Sequence, residues 1–113
     1  GQWYRLRLAP ALRAADAPVA ALDVSALTTH VLAPILGIGD LRNDARIDFV
    51  GGSRGLDGLA ARVDSDEMAV AFALFPTPIE SLMAIADAGA VMPPKSTWFE
   101  PKLADGVVSH VLD

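Results

Sequence analysis

Two hydrophobic periods run through the chain, separated by glycine-, proline- or acid-rich breaks. Gln2 to Leu8, QWYRLRL, sets Trp3, Arg5 and Arg7 against Tyr4, Leu6 and Leu8, the period of two expected of a strand with one buried face. After the Ala/Pro-rich connector APALRAADAPVA, Val24, Leu27 and Val31 fall at helical spacing. That pattern predicts a helix from about Val24, capped by Asp23 and disturbed at Pro34 or Gly37. Arg46 to Val50, RIDFV, predicts a short strand running into the turn GGSRG. Leu56, Leu59, Ala60 and Val63 then predict a second amphipathic helix, with Ser53 as its cap. The polar turn DSDE, Asp64 to Glu67, leads to Met68–Phe75, MAVAFALF, whose unbroken apolar character predicts a central strand covered on both faces.

The segment TPIE predicts a third helix start, with Thr77 as N-cap, Pro78 at the first helical position and Glu80 closing a capping box. Ile79, Leu82, Met83 and Ala86 supply its apolar stripe, and Gly89 offers a left-handed residue at its end. Gly106 to Leu112, GVVSHVL, predicts a last strand, paired with a short one near Trp98 and Phe99. The order β-α-β-α-β-α-β predicts a single α/β domain over residues 1–113: a mixed sheet of about four to five strands with three helices packed on it.

Composition narrows the class. The chain has 113 residues, 52% hydrophobic and 20% charged, with net charge −5; that length can bury roughly two thirds of the unfolded surface around one core. A pI near 4.8 and the lack of a concentrated basic face argue against a nucleic-acid partner. The apolar runs fall far short of the ~20 residues of a membrane span, so a soluble protein without a membrane partner is expected. With no cysteine, disulfides, thiolate metal sites and cysteine nucleophiles are excluded, which fits a reducing cytoplasm. The start, GQWYRL, has no initiating Met and no signal pattern, and its glycine reads as the remnant of a cleaved tag. The chain is expected to be a fragment of a longer parent.

The stretch MPPKSTWFEPKL, Met92 to Leu103, holds both lysines of the chain. Pro93 and Pro94 stiffen the segment and push Met92 towards extended geometry, so Lys95, Ser96 and Thr97 are presented together. An ammonium beside two hydroxyls and nearby backbone N–H groups suits phosphate oxygens. Lys102 adds a second charge if the Glu100-Pro101 turn brings it round. The plainer alternative is an exposed loop with solvated lysines, in which Trp98 and Phe99 plug the core.

Gly51, Gly52, Ser53 and Arg54 form a second candidate, since a glycine-rich turn before a helix aims free N–H groups at an anion. The pattern matches neither a Walker A loop nor G-x-G-x-x-G, and glycines serve tight turns for conformational reasons alone. Asp64, Asp66 and Glu67 have oxygen ligands of the kind Mg²⁺ takes, but an acidic turn after a helix is commonly just solvated. His30 and His110 lack metal-ligand spacing, so no metal site is expected. No G-x-S-x-G, H-E-x-x-H or Ser/His/Asp arrangement is present.

The run Ile85-Ala86-Asp87-Ala88-Gly89, then Met92 to Leu103, then Gly106-Val107, resembles the C-terminal signature of the bacterial and archaeal family catalogued as domain of unknown function 1015. ALDVSALTTHVLAPILGI, IDFVGG and AFALFPTPIE are similar to that family's last third, in the same order. Ala104-Asp105 departs from the polar residue and Ser or Thr the family often has there. Some members resemble free L-serine kinases that use ATP or pyrophosphate. The resemblance implies a phosphotransferase parent, with Mg²⁺ accompanying its phosphate donor, and a phosphate-bearing small-molecule ligand. The Asp-Gly-His-His-Arg segment of those kinases has no counterpart here. Catalytic residues are therefore expected in an N-terminal domain of the parent, a natural partner for this chain. The rival reading is a non-catalytic association module, in which Trp98, Phe99 and the proline-rich loop pack on the parent's other domain or on a second copy as a homodimer.

Overall fold

The computed structural model describes residues 1–13 and 17–97, and among these every regular element is helical. A 3-10 turn at Pro10–Leu12 is followed by α1 (Asp23–Leu27), a π turn (Thr28–Leu32) and α2 (Ala33–Leu36), which join into one rod. A second 3-10 turn, Gly52–Arg54, leads into α3 (Gly55–Asp64), and α4 spans Ile79–Asp87. The three helical stretches lie where the 3.6-residue spacing places them.

The α/β expectation is overturned, because no strand forms among the described residues. Gln2–Leu8, Arg46–Val50 and Met68–Phe75 all lack a ladder partner. A strand exists only when its N–H and C=O groups are met by a neighbour, so side-chain alternation alone cannot make one. The apolar run predicted to be covered on both faces is instead largely open: Val70, Leu74 and Phe75 are exposed, as are Trp3, Tyr4 and Leu6 in the first segment. The predicted strand at Gly106 to Leu112 and the short one near Trp98 and Phe99 lie outside the described residues.

The π turn has a local cause. Pro34 has no N–H, and its ring needs clearance from the carbonyl four residues back. The wider turn ahead of it, in which the Ala33 N–H bonds Thr28 O, supplies that clearance. Thr28 Oγ1 also donates to Val24 O at 2.8 Å, a back-bond that bends helices. The rod ends at Gly37, with φ 66°, and the Ile38 N–H reaches back to Leu32 O at 2.9 Å. Leu32 and Ile38 are both buried.

Three capping expectations are corrected. Leu22 rather than Asp23 occupies the N-cap of α1, and Arg54 rather than Ser53 precedes α3; neither start has a side-chain cap bond. Pro78 occupies the N-cap of α4, leaving Thr77 outside the helix and free for another role. At the other end of α4 the expectation holds. Gly89 takes φ 62°, its N–H bonds Ala86 O at 2.9 Å, and the Ala90 N–H bonds Ile85 O at 3.0 Å, which is a Schellman ending.

The interior is thin. Leu22, Leu32, Ile38 and Ile85 are the buried apolar residues among those described. On α4 the inward face is Leu82 and Ile85, whereas Ile79 and Met83 of the predicted stripe stand exposed. No Cα–Cα approach within 8 Å links the first rod, α3 and α4.

Candidate functional site

The turn at Pro93–Ser96 follows directly from its sequence. Pro94 fixes its own φ near −65°, and Lys95 takes the left-handed conformation at φ 58°, where residues other than glycine are uncommon. Ser96 Oγ donates to Pro93 O at 2.6 Å, closing the turn from its side chain. Lys95 is exposed at the tip, and Ser96 and Thr97 are half-buried. Among the described residues no acceptor takes the backbone N–H of Lys95, Ser96 or Thr97.

Thr77 supplies the link that the spacing missed. Its Oγ1 donates to Ser96 O at 3.4 Å, a long bond that ties the turn to the residue just ahead of Pro78 and α4. The first turn of that helix carries unpaired N–H groups and the positive end of the helix dipole. Glu80 also sits in that turn and is exposed, bringing an opposing negative charge. The Thr77–Ser96 bond thus ties a turn that carries one ammonium, and backbone N–H groups with no acceptor among the described residues, to the residue ahead of α4. The proton of Ser96 is directed at Pro93 O, so in this state its oxygen can accept but not donate.

The other candidates stand apart from this turn. Gly52–Arg54 is a 3-10 turn in which the Arg54 N–H bonds Gly51 O at 3.0 Å. No hydrogen bond or ion pair joins Gly51, Gly52, Ser53 or Arg54 to Lys95, Ser96 or Thr97 among the described residues. Lys102 and His110 lie outside the described residues. His30 sits in the π turn, half-buried.

The acidic turn after α3 is committed to structure. Arg62 Nη1 donates to Asp48 Oδ2 at 2.6 Å, and Nη2 and Nε both donate to Glu67 Oε1, at 2.5 and 3.0 Å. The hydrogen bonds to Glu67, then those to Asp48, hold the Arg62 guanidinium above its ordinary pKa. In return, Asp48 lies below the usual carboxylate value, first through its bond from Arg62 and then through the Phe49 N–H. Asp64 pairs with the Gly1 ammonium.

A second clip escaped the spacing altogether. Arg46 Nη1 donates to Leu36 O at 3.1 Å and Nη2 to Gly37 O at 2.9 Å, so a cation meets the orphan carbonyls at the end of α2. Asp44 orients it through Nε at 3.0 Å and Nη2 at 2.6 Å. Asp40 Oδ1 accepts from the Arg42 N–H at 2.9 Å, holding the preceding loop. The available signal was LRNDAR, an acid two residues ahead of an arginine just past a helix end.

Comparison with family models, curated proteins and solved structures finds no match to this chain.

Proposed function

We propose that this chain is the phosphate-binding C-terminal part of a small-molecule phosphotransferase similar to free L-serine kinases. The supporting observation is the Thr77–Ser96 bond, which holds the lysine-bearing turn beside the start of α4. Lys95 supplies the charge, and the N–H groups of Lys95 to Thr97, which meet no acceptor among the described residues, supply direction, with Thr97 adding a hydroxyl. Ser96 takes part after turning its proton from Pro93 O towards the ligand. The described residues gather no group of three His, Asp or Glu side chains suited to a metal. The role given to this chain is contact with phosphate oxygens, and the ATP or pyrophosphate donor, with Mg²⁺, is assigned to the whole parent. Phosphoryl transfer depends chiefly on positioning and charge neutralisation, which is what such a clamp contributes.

Calorimetric titration of the chain with inorganic pyrophosphate tests the reading. A charge-assisted hydrogen bond contributes about 1.5–3 kcal/mol, so Lys95→Ala is expected to weaken binding about tenfold or more. Glu80→Gln, which removes the opposing charge, is expected to tighten it. No heat with the wild-type chain, or equal affinity in Lys95→Ala, overturns the proposal.

A further inference from the structure

We draw no further inference here: the strongest candidate, the exposed apolar surface of the extended segments Gln2–Leu8 and Met68–Phe75, carries nothing because nothing in the structure shows what covers it.

Discussion

Lys95 combines a charge with a backbone cost. A side chain with a Cβ at φ 58° forfeits roughly 1–2 kcal/mol against the surrounding peptide, while a glycine there adds about 0.5–1 kcal/mol of unfolded-state entropy. The first effect is larger, so Lys95→Gly is expected to stabilise the chain by about 0.5–1 kcal/mol in urea unfolding, with the anion affinity lost. Lys95→Ala keeps the strain and loses only the charge. Asp44 shows the second use of charge at this scale. Bonded first by the Arg46 side chain and then by its N–H, its pKa is lowered to about 2, below the roughly 3.9 of an unfolded Asp. A depressed carboxylate stabilises the fold above the unfolded value and loses that effect as pH falls through the folded one. The Arg46 clip is therefore expected to be intact above about pH 4 and lost towards about pH 2. A carboxyl NMR titration of Asp44 checks this, and a midpoint near 4 would contradict it.

At the scale of elements, the helices formed where local rules agreed with one another. Apolar spacing, a proline early in the helix and a glycine at its end all pointed to α4, and the Schellman bonds of Gly89 and Ala90 show the ending in place. Gly89→Ala is expected to cost about 1–2 kcal/mol, since alanine pays the left-handed penalty although nothing lies within 4 Å of the added Cβ. Thermal unfolding followed by circular dichroism measures it. Cap assignment was less legible. Thr77 fits the capping box by type, but Pro78 stands at the N-cap and the Thr77 hydroxyl turns to Ser96 O. That choice depends on where residue 96 lies, nineteen positions away, which no local pattern contains. The same holds for Arg46, whose acceptors are set by how the loop folds back on α2.

At the scale of the molecule, burial is the quantity that departs most from expectation. Among the described residues Leu22, Leu32, Ile38 and Ile85 are the buried apolar side chains, while Trp3, Tyr4, Leu6, Val70, Leu74 and Phe75 stand exposed. The denaturant slope follows the area exposed on unfolding. With so few apolar side chains buried, that slope is expected to be smaller than the value for a compact domain of the same length. A slope of full size shows that the apolar segments are already covered.

The sequence by itself determined which segments coil into helices, where the left-handed glycine ending α4 falls, and that a proline-stiffened turn displays Lys95. Each of these depends on residues within a few positions of one another. Whether QWYRLRL, RIDFV and MAVAFALF become strands was decided only by the tertiary structure, because a strand's hydrogen bonds belong to a neighbour that its own side chains do not name. The partners of Thr77, Arg46 and Arg62 were decided at the same level, by which distant carbonyls and carboxylates the folded chain brings within reach.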